Sequence, residues 1–160
     1  MTSLRILPIA FAGAVLGNTP ALASVEGVWM GKDGTTLRIR NCGDAVCGNV
    51  ASVPEKSDPG TGVARTDAKN ADPNLRNRPL VGIQVLIAMR PNGPGKWSGR
   101  LYNVGDGNTY AGNLIELGPD TVRVEGCWLG VCGGENLTRM KSSDNPVRKS
   151  SVVRSVASSH

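Results

Sequence analysis

The densest polar chemistry in the chain lies in one stretch, where Asp67, Asn70, Asp72, Arg76 and Arg78 crowd together. Paired guanidiniums hold a carboxylate or phosphate through parallel hydrogen bonds. Arg76 and Arg78, joined by Arg100 if it faces the same space, could therefore form an anion-selecting rim. The same residues also suit a purely architectural role. Asp72-Pro73 has the form of a helix start, an N-cap followed by proline in the first turn, and Asp67 and Asn70 fit side-chain-braced turns. Calcium at Asp67, Asn70 and Asp72 fits poorly, because the Asp-x-Asn-x-Asp-Gly spacing and a distal Glu are missing. Tyr102 and Tyr110 flank a Gly105-Asp106-Gly107-Asn108 turn. They offer rings with hydroxyl tips, to a ligand or to each other across a hairpin.

Other chemistries are short of residues. The single histidine is His160, the last residue, which removes Ser-His-Asp and Cys-His catalysis and most catalytic zinc sites. Asp67, Asp72 or a tyrosine alone selects no reaction. No catalytic constellation, metal or cofactor is expected.

These side chains must be positioned by a smaller unit than the full 160 residues. Arg5 precedes an apolar stretch, Ile6 to Leu16, and Ala21-Leu22-Ala23 has the small-x-small form of a signal peptidase site. Residues 1–23 therefore read as a secretory signal. Residues 141–160 read as a flexible Ser-rich tail, in which Lys141, Arg148, Lys149 and Arg154 stand against Asp144. Of the net charge of +5, the tail carries +3. A basic tail without aromatics is weak grounds for nucleic acid, so none is expected. Contact between the tail and an anionic envelope surface is conceivable. No run reaches the roughly 18 apolar residues of a membrane span.

Between them, residues 24–140 alternate short β-rich runs with Gly, Pro, Asn and Asp turns. Eight strands are predicted: Val25–Met30, Thr35–Asn41, Val46–Val53, Leu80–Met89, Lys96–Asn103, Asn108–Leu117, Thr121–Trp128 and Gly133–Arg139. Leu37/Ile39 against Arg38/Arg40, and Val122/Val124 against Arg123/Glu125, show the period-two alternation of a sheet wet on one side. On the fourth strand Val81, Ile83, Val85, Ile87 and Met89 would form one apolar face. Short connections make consecutive strands antiparallel neighbours, and closure removes the two exposed edges. The expected fold is an all-β, eight-stranded up-and-down barrel with one short helix in its long connection.

Strand parity sorts the connections between two ends. The long connection Pro54–Pro79 and the Tyr102/Tyr110 turn fall at one end, the expected mouth, since long loops are often lids or binding loops. At the other end Trp29 should meet Arg139, a guanidinium laid on an indole. Glycines at 27, 48, 82, 99, 112 and 126 either leave an internal cavity or permit the bends that closure needs.

The four cysteines form two Cys-x4-Cys units. An even count in an exported chain reads as disulfides, although four thiolates could suggest zinc in a reducing compartment. Parity puts Cys42 and Cys47 at one end and Cys127 and Cys132 at the other. The pairing expected is therefore Cys42–Cys47 and Cys127–Cys132.

Gly27-Val28-Trp29 with a late Arg139 resembles the lipocalin and calycin barrels. A more specific likeness follows from Asn41-Cys42-Gly43, Val46-Cys47-Gly48, Asp67-x-x-Asn70-x-Asp72-Pro73-x-Leu75-Arg76-x-Arg78-Pro79-Leu80-x-Gly82, Trp97-Ser98-Gly99-Arg100-Leu101-Tyr102-Asn103, Asp106-Gly107-x-x-Tyr110, Gly126-Cys127, Cys132-Gly133 and Thr138-Arg139. In order and spacing these are similar to the domain of unknown function two-one-four-seven family of small exported bacterial proteins. The resemblance implies a lipocalin-like barrel, periplasmic or secreted, and implies no reaction. Asn103-Val104 stands where the family usually has Asp-Pro, and Asn136-Leu137 where it often has Trp. The functional expectation is a non-enzymatic barrel that binds a small apolar or amphipathic ligand, which an arginine rim would allow to be anionic. The alternative is a cell-envelope interaction protein with a filled barrel.

Overall fold

The computed structural model describes residues 25–54 and 65–141. The expected signal, residues 1–23, and the tail beyond Lys141 lie outside those residues. Eight strands follow in order: β1 Gly27–Met30, β2 Thr36–Asn41, β3 Val46–Ser52, β4 Gln84–Pro91, β5 Lys96–Asn103, β6 Asn108–Gly118, β7 Thr121–Trp128 and β8 Val131–Arg139. Each pairs antiparallel with its neighbour in sequence, and β8 returns to β1, which closes the barrel. One 3-10 turn among the described residues, Pro73–Leu75, is capped by the Asp72 side chain. Among the described residues no helix is long and apolar enough to cross a membrane.

Period-two alternation sends one set of residues inward, and the register joins them into rows. Trp29 lies opposite Leu37, and Leu37 opposite Val50. Trp97, Leu114, Val124 and Glu135 form another row, and Gly99, Gly112, Gly126 and Gly133 a third. Trp29, Trp97, Ile39, Leu86, Met89 and Leu114 are fully buried. Each contributes about 1.5–3 kcal/mol of hydrophobic stabilisation, and together they fill the half of the barrel where β1 begins.

That half is sealed as the sequence implies. The Arg139 guanidinium lies 4.1 Å from the centre of the Trp29 ring. Its Nη1 donates to the Glu26 carbonyl (2.8 Å) and its Nε to the Pro119 carbonyl (2.8 Å). The indole N–H donates to the Val25 carbonyl (2.9 Å). Gly27 is required here for two reasons: its φ is +142°, and a Cβ would come within 3.0 Å of Arg139 Nη1. Both expected disulfides, Cys42–Cys47 and Cys127–Cys132, are present.

The fourth strand departs from the expected face. It begins at Gln84, because Leu80–Ile83 form a turn in which the Ile83 N–H donates to the Leu80 carbonyl and Gly82 takes φ +97°. Val81 is consequently 47% exposed. Leu86, not the 85/87 set, points at Gly48, where a Cβ would meet its Cδ1 at 2.8 Å. Ala88, at φ +48°, then inserts a bulge where the register shifts, and this returns Met89 to the interior opposite Val46. Gly99 admits the bulge, since a Cβ there would meet the Ala88 carbonyl oxygen at 2.6 Å.

Candidate ligand-binding site

The other half of the barrel is open. A cavity of about 730 Å³ lies there. Its lining draws on the connection after β1 (Gly31, Lys32, Asp33), the one after β3 (Arg65), the one after β5 (Val104, Gly105, Asp106) and the strand ends of the β7–β8 hairpin (Trp128, Val131). All lie at the end that parity assigns to the mouth. The wall is made by Leu37, Val50, Leu101, Val124 and Leu137. The glycines divide by level. At Gly48 and Gly112 a Cβ would come within 3 Å of Leu86, Leu101 or Met89, so these positions allow close approach in the filled half. At Gly126 the nearest atoms are Leu101 Cδ2 at 3.2 Å and Tyr110 Cβ at 3.4 Å, and at Gly133 nothing lies within 4 Å. Of these four, Gly126 and Gly133 border the cavity.

Of the eight residues singled out from the sequence as ligand contacts, Tyr102 and Tyr110 line the cavity. The others build the wall behind it or lie apart from it. Asp67 is fully buried and accepts from Tyr102 Oη (2.6 Å), Asn70 Nδ2 (2.7 Å) and Arg78 Nη2 and Nε (2.8 and 3.0 Å). Burial pushes its carboxyl up, but these hydrogen bonds and the Arg78 charge outweigh burial and hold it below the usual carboxylate range. Burial and the neighbouring carboxylate raise the Tyr102 phenol. Arg76 donates its Nε to the Asn70 carbonyl (2.8 Å), and Asp72 caps Asn74 N (2.9 Å). Arg78 also lies over the Tyr102 ring, at 5.8 Å. The two arginines thus turn toward the loop's own acceptors. Arg100 is exposed, on the strand face opposite Leu101.

The brace clamps the long connection to the β5–β6 hairpin. The Asp67 N–H donates to the Arg78 carbonyl (3.0 Å), and the Leu80 N–H to the Arg65 carbonyl (3.0 Å). Gly107, at φ +77°, lies so close to Lys69 that a Cβ would overlap its carbonyl. Tyr110 donates to Asp106 (2.7 Å), which lowers the acid and raises the phenol. Its ring meets Trp128 edge-on at 6.3 Å. The grouping Glu125, Cys127 and Cys132 could ligate a metal by position, but both sulfurs are spent in the disulfide.

The profile of the family described as "Uncharacterized protein conserved in bacteria (DUF2147)" matches residues 27–139, from the glycine of the seal to its arginine. The chain belongs to that family. No curated protein matches it. In solved structures, this DUF2147 chain is similar to the protein described as "Protein HP1028 from the human pathogen Helicobacter pylori belongs to the lipocalin family", at TM-score 0.67 and 18% identity, over 78% of this chain and 88% of that one. The lipocalin-like fold is thereby shown. The residues that sequence reasoning passed over are Gly107, Trp128, Gly133 and Glu135. Glu135 was within reach, since counting by twos from Leu137 through Glu135 to Gly133 puts a carboxylate at an inward position.

Proposed function

We propose that this DUF2147 protein is an exported, non-enzymatic binder of a small apolar or amphipathic molecule, held in the open half of its barrel. The observation that carries this reading is the cavity itself: about 730 Å³ above a filled floor, walled by aliphatic side chains, with two tyrosines and Trp128 at its mouth. Pockets for drug-sized ligands have this size and composition. Export to the periplasm or beyond is supported by the two disulfides, which persist in oxidising compartments. Tyr102 and Tyr110 are the ligand contacts, while Asp67, Asn70, Asp72, Arg76 and Arg78 hold the wall.

Gly133→Leu tests the assignment, because the position has open space and a φ outside the glycine-only region. Native mass spectrometry of protein purified from its own host should find a retained small molecule in the wild type and none in the variant, with the barrel intact by circular dichroism. Apo mass in both would defeat the reading. One observation favours the alternative, an envelope interaction protein: Trp128, Leu129 and Val131 are 66%, 88% and 76% exposed at the tip of one hairpin. Contiguous exposed apolar surface marks contact sites. In that case Leu129→Ser would abolish partner capture while leaving ligand content unchanged.

A further inference from the structure

Glu135 projects inward from β8, in the same row as Trp97, Leu114 and Val124, and lines the cavity. Among the described residues its side chain makes neither a hydrogen bond nor an ion pair. Its Oε1 lies 3.3 Å from the place a Cβ on Gly31 would take, and Asp33 Oδ1 lies 3.2 Å from that same point. Asp33 already caps its own turn, accepting from Thr35 N and Thr35 Oγ1 at 2.9 Å each. The Glu135 carboxylate is therefore an acceptor in the cavity that the described residues leave unused. The cationic lining groups, Lys32 and Arg65, sit on connecting segments at the solvent end and are exposed, where salt screens their charge.

We infer that the cavity selects amphiphiles whose polar end is cationic, an alkylammonium, and that Glu135 is the residue that sets this sign. This rests on the cavity being a ligand site. An ammonium at Glu135 gains a charge-assisted hydrogen bond in a partly desolvated space. A carboxylate or phosphate head there would meet a like charge. The alkyl chain has Leu101, Val124 and the open space at Gly133, toward the mouth, to occupy.

The test uses three probes of one chain length, dodecylammonium, dodecanol and dodecanoate, with Trp128 fluorescence and calorimetry on the intact barrel. Dodecylammonium should bind the wild type most tightly and dodecanoate least. Glu135→Gln, which keeps the shape, should weaken dodecylammonium about tenfold or more, the loss of one charged hydrogen bond, and leave dodecanol unchanged. Equal affinity of the wild type for all three probes, or an undiminished affinity of Glu135→Gln for dodecylammonium, overturns the charge inference while the cavity reading stands. If none of the three binds, both fall. Ammonium chloride competing as well as dodecylammonium would assign the carboxylate to a small cation and overturn the amphiphile.

Discussion

A carboxylate with no exposure, as at Asp67, is tolerated only when its lone pairs are filled. Three side chains fill them, and the energetic consequence has a definite sign with pH. The native carboxyl ionises below its unfolded value. Its stabilisation is thus complete above about pH 4 and is lost as pH falls through the native value. Tyr102 works in the opposite direction: its native phenol ionises above the unfolded value, so its share is complete below about pH 10 and lost as pH rises beyond that. Asp67→Asn should therefore cost about 2 kcal/mol at neutral pH, a typical loss for a charged hydrogen-bond acceptor. Urea titrations at several pH values check this, and the gap between wild type and variant should close below the ordinary carboxylate range. A gap that stayed constant into strong acid would mean that the charge contributes nothing.

The β7–β8 hairpin is the element whose local chemistry runs against its conformation. Trp128 pairs with Val131, which leaves a two-residue loop of Leu129 and Gly130, with φ of +47° and +83°. Positive φ at both positions is the type I′ pattern that favours Asn-Gly, and a leucine in the left-handed region costs about 1–2 kcal/mol. Leu129 is also 88% exposed, so burial offers no compensation. The Cys127–Cys132 disulfide below the turn holds the strands together regardless. Leu129→Asn should stabilise the protein by about 1 kcal/mol, seen as a higher urea midpoint with an unchanged slope. A lower midpoint would show that the leucine is needed within the fold. The neighbouring long connection shows how far an element can be read from sequence. Its Asp72-Pro73 turn was legible because capping is local. The Asp67–Tyr102 bond was not, because its partners lie 35 residues apart.

At the scale of the whole molecule, closure depends on a narrow seam. β1 and β8 share two register pairs, Trp29 with Arg139 and Met30 with Thr138, and the Met140 N–H adds a bond to the Val28 carbonyl (2.8 Å). Arg139 therefore fastens the barrel more than its size suggests, bonding to carbonyls on both sides of the seam while covering Trp29. Arg139→Ala should cost about 3 kcal/mol, the sum expected for charged hydrogen bonds and a cation–π contact. Arg139→Lys should recover little, since one ammonium cannot stack and reach both carbonyls. Chemical unfolding followed by tryptophan fluorescence decides the matter; lysine restoring full stability would leave only the charge as important.

Strand number, antiparallel order, the indole–guanidinium seal and both disulfides are properties of the sequence alone. Each follows from a period of two or from short connections, in which neighbours in the chain become neighbours in space. Whether the barrel is filled or hollow was settled only in three dimensions, because empty volume is what remains after eight strands have contributed their side chains. Leu101 leans over Gly112 and Gly126, nothing reaches Gly133, and a bulge at Ala88 redirects a whole strand. No single strand contains that information, and so neither the cavity nor the lack of a partner for the inward acid Glu135 was visible before the chain closed on itself.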